Sequence, residues 1–237
     1  MTREDGSAYY EGRRAELLAS FGEDAGFWRQ IAGANYREEF AEAVVQEARE
    51  QFEALIPRIP YIGGDENHLT ANLVDSTRFL ALYSAMKARG KTAVETGRVR
   101  YYAIEARSGC PAPPIAPSQR LSPEALQRRR RQRAAQSHEL VKSYPDTWVY
   151  DFIEGDGEEF DYGYDFLQCA TRRFYAAQGA EELLPFYCFL DYAMSRTAGL
   201  GLERARTLSL GDDRCTFRFK RGRRTEPGWP PAFLEHR

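Results

Sequence analysis

Long apolar runs are missing from this chain of 237 residues. No stretch approaches the roughly 18 apolar residues that a spanning helix needs, so no membrane segment is expected. The first residues, Met1 to Ser7, are polar and lack the apolar region of a secretory signal. Cysteine is sparse: Cys110, Cys169, Cys188 and Cys215 stand far apart with no CxxC pair, so free thiols in a reducing, cytoplasmic setting are expected rather than disulfides. Histidine is scarcer still, at His68, His138 and His236, which leaves few bases for a Ser–His–Asp arrangement. Walker, HExxH and GxSxG patterns are absent. No sign of charge dominates: the net charge is −2 and the pI near 6.0, which argues against a general nucleic-acid binder.

Hydrophobic residues make up 43% and charged residues 29%, the balance of a folded globular protein. Phe40, Val44, Ala48, Phe52 and Leu55 keep a helical period over 36–55, and Pro57 and Pro60 end it. A loop with Gly63-Gly64 follows. The pattern then predicts helices over 70–88, closed by Gly90, and over 92–106. Residues 107–121 read as a surface loop carrying Cys110, and a basic helix with Arg128–Arg131 and Arg133 runs to about Ser143. Its arginines read as a solvated face, with anion contact as the alternative.

Alternation then replaces the helical period. Trp148, Tyr150 and Phe152, and later Phe160, Tyr162, Tyr164 and Phe166, alternate with other residues about the turn at Gly155–Gly157. Two helices follow, over 169–178 and 182–196. A second hairpin, 203–210 with 214–220, is expected around Gly211-Asp212-Asp213. The expected architecture is α+β: N-terminal helices followed by an antiparallel sheet of two hairpins packed on helices. We expect one domain over 1–237, with a helical part (1–143), a sheet-containing part (144–222) and a flexible basic tail (223–237).

The chemistry-bearing residues cluster in the C-terminal half. Cys188 and Asp191 lie three apart on a predicted helix and share a face. Cys169 sits where a strand becomes a helix, and Cys215 shares a strand face with Phe217 and Phe219. Thiolates are good nucleophiles; three cysteines and a carboxylate also suit zinc. The plain alternative is that these cysteines are small buried hydrophobes. Asn67 either caps a helix or orients substrate, Tyr83 is a core or a substrate residue, and Arg204 and Arg206 are solvated strand residues or clamps on a substrate carboxylate.

Several stretches taken together resemble the L-2-amino-thiazoline-4-carboxylic acid hydrolase family: Ile59–Asn72 (IPYIGGDENHLTAN), Phe79–Thr92, Gly179–Asp191 (GAEELLPFYCFLD) and Gly201–Phe219 (GLERARTLSLGDDRCTFRF). The resemblance implies hydrolysis at a cyclic amidine-like C=N centre, opening the ring to N-carbamoyl-cysteine. The chain departs from the family pattern in reading Gln168 before Cys169 and Thr216 after Cys215, where relatives commonly carry carboxylates, and Ala205 after Arg204. The departures imply changed proton chemistry, with weak turnover of the thiazoline itself and activity on a related cyclic or imine-bearing compound.

The reading is therefore a hydrolase-like enzyme acting on a small cyclic amidine, thiazoline or other C=N compound. Its catalytic residues would be Cys188, Asp191, Cys169 and Cys215, and its substrate contacts Asn67, Tyr83, Arg204 and Arg206. No cofactor is expected, zinc being the one candidate; the partner is a small molecule, not nucleic acid or membrane. The alternatives are a natural-product tailoring enzyme using the same pocket and a non-catalytic ligand- or metal-binding module.

Overall fold

The computed structural model describes residues 8–108 and 122–235. After a helical turn at 8–11, the chain runs α1 (Arg14–Tyr36), α2 (Glu38–Leu55), α3 (Thr70–Lys87), α4 (Ala93–Ser108), α5 (Pro123–Ser143), β1 (Val149–Glu154), β2 (Tyr162–Gln168), α6 (Ala170–Ala177), α7 (Leu184–Thr197), β3 (Leu200–Glu203) and β4 (Cys215–Arg221). This is the expected α+β order of helices and then an antiparallel sheet. Among the described residues no helix is long and apolar enough to cross a membrane. Cys110 and His236 lie outside the described residues.

Local signals place the helix ends. Thr92 and Glu95 form a reciprocal capping box at the start of α4: Glu95 N–H donates to Thr92 Oγ1 (3.2 Å) and Thr92 N–H to Glu95 Oε2 (2.9 Å). Ser122 caps α5 by accepting from Ala125 N–H (3.2 Å), with Pro123 in the first turn. Helix α1 carries no such flag, and the sequence pattern did not predict it. It buries Leu17, Phe21, Ala25, Trp28 and Ala32 at spacings of three and four, but glycines and the buried Asp24 dilute the stripe. The chain breaks at Arg37 (φ 124°), so what reads as one helix beginning at Tyr36 starts at Glu38.

Helix α2 packs between α1 and α3, α4 lies against α1 and α7, and the largest core cluster runs through all of these helices to Trp148 and Phe174. A Cβ on Gly97 would stand 2.9 Å from the Phe186 side chain, so a glycine lets α4 approach α7.

The sheet has the order β1-β2-β4-β3, every pair antiparallel. Tyr150 pairs with Phe166 and Phe166 with Cys215; Phe152 pairs with Tyr164 and Tyr164 with Phe217. Because paired residues share a face, these rows make one face almost wholly aromatic. Helix α5 packs on β1 and α7 on β3.

One expectation about the sheet needs correction. The strand placed at 203–210 is shorter and earlier, Leu200–Glu203, and pairs with 218–221. Residues 204–214 leave the sheet and turn through a short 3-10 segment at Leu208–Leu210. Thr216 Oγ1 accepts from the N–H groups of Ala205 (3.1 Å) and Arg206 (3.0 Å), and Thr207 N–H donates to Asp212 (2.7 Å), so polar side chains replace the missing ladder bonds. Beyond β4 the chain lies against the fold as far as Leu234: buried Thr225 accepts from Leu202 N–H (3.0 Å), and Trp229 and Phe233 pack on Tyr101 and Phe186.

Candidate active site

Helix α7 and the loop that leaves β3 build the site. On α7, Cys188 and Asp191 stand one turn apart and face the loop residues 204–207. Arg204, which the strand pattern would have sent to solvent, turns inward because the loop has left the sheet. Its side chain is 4% exposed. It donates to Asp191 Oδ2 (2.9 Å), to the Cys188 carbonyl (2.7 Å) and to Thr207 Oγ1 (3.2 Å), and its guanidinium lies 4.1 Å from the centre of the Phe217 ring. Thr207 Oγ1 in turn stands 3.6 Å from Cys215 Sγ, which also accepts from Leu208 N–H (3.2 Å). A continuous polar chain thus runs Asp191–Arg204–Thr207–Cys215.

The third thiol, Cys169, lies close enough to Cys188 and Cys215 to act on them electrostatically. Cys169 caps α6, accepting from Arg172 N–H (3.4 Å), and the Trp148 indole donates to it as well. Burial pushes the Cys169 thiol up to about 11, and the nearby Cys215 adds to the rise. Burial pushes Cys188 up to about 12; Arg204 pulls the other way, while Cys169, Asp191 and Cys215 reinforce the rise. Both shifts favour the protonated thiol at neutral pH. Burial lifts the Asp191 carboxyl to about 6 in spite of Arg204. With a little over a third of its side chain open to solvent and a guanidinium at 2.9 Å, Asp191 is ionised at pH 7.

Cys188, Arg204, Arg206 and Thr207, with Phe189 and Tyr192, line a cleft of about 270 Å³, the size of a small heterocycle with its water. Arg206 is exposed and bound at its outer end to Asp213 (3.2 Å). Asp191 backs this wall through Arg204, and its Oδ1 accepts no hydrogen bond among the described residues.

Two predicted substrate contacts belong elsewhere. Asn67 is buried and spent: its amide donates to Ile62 O (2.7 Å) and Thr147 Oγ1 (2.8 Å), and its oxygen accepts from Leu69 N–H (3.0 Å), which pins the start of α3. Tyr83 donates to Glu182 in a separate groove with Lys87 and Gln178. The substituted positions are structural too. Gln168 Nε2 donates to Pro145 O (2.7 Å) and Thr147 O (2.6 Å) while Oε1 accepts from Arg173 (2.9 Å), and Thr216 holds the loop backbone. Neither side chain lines the cleft. Among the described residues no group of three or more His, Cys, Asp or Glu is arranged to hold a metal, and each thiol of Cys169 and Cys215 already meets N–H donors. The sequence did not single out Thr207 as the link between arginine and thiol; its only signal was the run Arg204-Ala-Arg-Thr207, read as strand.

The family model of L-2-amino-thiazoline-4-carboxylic acid hydrolase matches residues 71–219, more than half of the chain and all of the elements that carry this site. No curated protein and no solved structure matches the chain.

Proposed function

Because the chain belongs to the L-2-amino-thiazoline-4-carboxylic acid hydrolase family, we propose that it hydrolyses a small carboxylated cyclic amidine of the thiazoline type in the cleft beside Cys188. The observation that carries this reading is the inward-turned Arg204, which ties a carboxylate lifted to about 6 to the wall of a cleft of substrate size. A base whose pKa lies just below the working pH is suited to proton transfer.

Water is the nucleophile in this scheme, since burial keeps Cys188 as a thiol. Asp191 stands behind Arg204 and outside the cleft lining, so it takes up a proton by relay through solvent as the water oxygen bonds to the amidine carbon. The C=N electron pair moves onto the ring nitrogen, which takes up a proton; the ring C–S bond then breaks as the new hydroxyl becomes the carbonyl and gives up its proton in turn, the electron pair leaves on sulfur, and the proton held by Asp191 passes to it. Arg204 orients Asp191 and offsets the charge that gathers there. Arg206 is the cation at the mouth that meets the substrate carboxylate. Cys188 packs against the ring; Cys169 and Cys215 fix the ends of α6 and the loop behind it. The substitutions at Gln168 and Thr216 act on the backbone, so they leave this proton path intact, and 2-amino-thiazoline-4-carboxylate becomes the first compound to assay.

The test is thiol release from that compound. Turnover on the order of 1 s⁻¹ is expected, as for an ordinary enzyme on its own substrate, with a loss of about 100-fold or more in Asp191→Asn and about tenfold in Cys188→Ala. Complete loss in Cys188→Ala with Asp191→Asn active would move the chemistry onto the thiol.

A further inference from the structure

A second cavity, of about 360 Å³, opens between α5 and the aromatic face of the sheet. No residue lines both this cavity and the Cys188 cleft. Its helical wall is Leu126, Arg129, Arg130 and Arg133, positions i, i+3, i+4 and i+7, which is one face of a helix. Amphipathic helices normally turn such a face toward the core with apolar side chains. Here three arginines occupy it, while Arg131, outside it, pairs with Glu154.

The opposite wall is aromatic. Tyr150 and Phe166 stack with ring centres 4.8 Å apart, and Tyr164 meets Tyr150 edge-on at 5.6 Å. His68 closes one end, its Nε2 3.2 Å from Tyr150 Oη. Arg130 lies 3.6 Å over the Tyr162 ring, a cation–π contact that accounts for its place. Arg129 and Arg133 have no comparable partner: among the described residues neither pairs with a carboxylate, and they repel each other across one turn. Two uncompensated guanidinium groups, one of them half-buried, face a ring-lined wall across a space that a small molecule would fill.

We propose that this cavity is a binding site for a small planar aromatic or heteroaromatic carboxylate, its ring set in the corner that Tyr150 and Tyr164 form and its carboxylate held by Arg129 and Arg133. Arginine forks match carboxylates in geometry as well as charge, and an arriving anion removes the repulsion between the two side chains. His68 supports the assignment: burial, then Arg133 and Arg129, lower it to about 4, so at neutral pH it is an uncharged edge for the ring and adds no third positive charge. The site is independent of the hydrolytic reading of the Cys188 cleft.

Calorimetric titration of the full chain with 2-naphthoate and with its neutral isostere 2-naphthamide tests this. The expected result is saturable 1:1 binding of naphthoate, weakened by added salt, and naphthamide binding at least about tenfold weaker. The double variant Arg129→Gln/Arg133→Gln should bind naphthoate at least about tenfold more weakly while melting no lower than the parent, because two like charges have been removed from adjacent turns. Equal binding of acid and amide by the unaltered chain would overturn the proposal without reference to any variant. So would undiminished naphthoate binding by the folded double variant, and so would the absence of naphthoate binding.

Discussion

Asp24 in the helical half and Asp191 beside the sheet are both carboxylates that burial has brought against arginine, yet the two regions use the pairing differently. Asp24 is 4% exposed and receives Arg107 at 2.9 Å, Arg78 at 3.2 Å and Arg100 at 3.5 Å. Arg100 also pairs with Asp75, and Arg78 donates to Ser20 (2.6 Å). Three arginines from two other helices thus converge on a carboxylate of α1, and no cleft meets them among the described pockets. Asp191 has one arginine, an oxygen left over and partial access to water. A buried charge that is fully partnered locks helices together; one that is partly partnered keeps a proton affinity near neutrality. The contrast separates scaffold from site more sharply than burial alone.

Removing either carboxylate tests that contrast. Asp24→Ala should produce the largest effect, a loss of about 3–5 kcal/mol in denaturant unfolding, because Arg78 and Arg100 are left with a buried excess of positive charge. A loss under about 1 kcal/mol would show that the arginines reach water when the carboxylate goes. Asp191→Asn should instead change the pH dependence. The native carboxyl is lifted from its ordinary value near 3.8 to about 6, so its stabilising contribution is complete below that ordinary value and disappears as the pH rises past about 6. Between pH 4 and 7 the parent should lose melting temperature relative to Asp191→Asn, and its hydrolysis rate should climb through about pH 6 where the variant's residual rate stays flat.

Smaller effects sharpen the point on the sheet side. Gln168→Glu sets a carboxylate against the carbonyls of Pro145 and Thr147, which the amide now serves as donor. A destabilisation of about 1–3 kcal/mol at pH 7, shrinking at acid pH as the new carboxyl protonates, is expected in thermal unfolding. Thr216→Ala should cost least, about 1 kcal/mol, by releasing the N–H groups of Ala205 and Arg206 to water; a drop in turnover larger than that would identify the loop's placement of Arg204 as limiting.

The helices over 70–87, 93–108, 170–177 and 184–197 were legible because period, proline and glycine stops and caps agree there. Helix α1 was not, since Gly22, Gly26 and Gly33 and a buried aspartate interrupt its apolar stripe. In the sheet, alternation located β1, β2 and β4, but it ran on through Arg204–Leu210, where Thr216 and Asp212 supply hydrogen bonds that no local pattern announces. That one error hid the inward turn of Arg204 and with it Thr207. The meeting of Cys188, Asp191 and Arg204 follows from α7 packing on β3, a tertiary fact. Asn67 and Tyr83 sat in stretches that resemble the family, and a stretch of that kind does not distinguish a residue that holds the fold from one that holds a substrate.

Cys215 has a kinetic meaning as well. Cys215 is 5% exposed and its sulfur accepts the N–H of Leu208, so an alkylating reagent meets it only when residues 204–214 lift from the sheet edge. Its labelling rate, read residue by residue, is then a clock for that local opening. A compound that seats itself between α7 and the loop should slow the clock in proportion to its occupancy, and so would report its binding whether or not it is turned over.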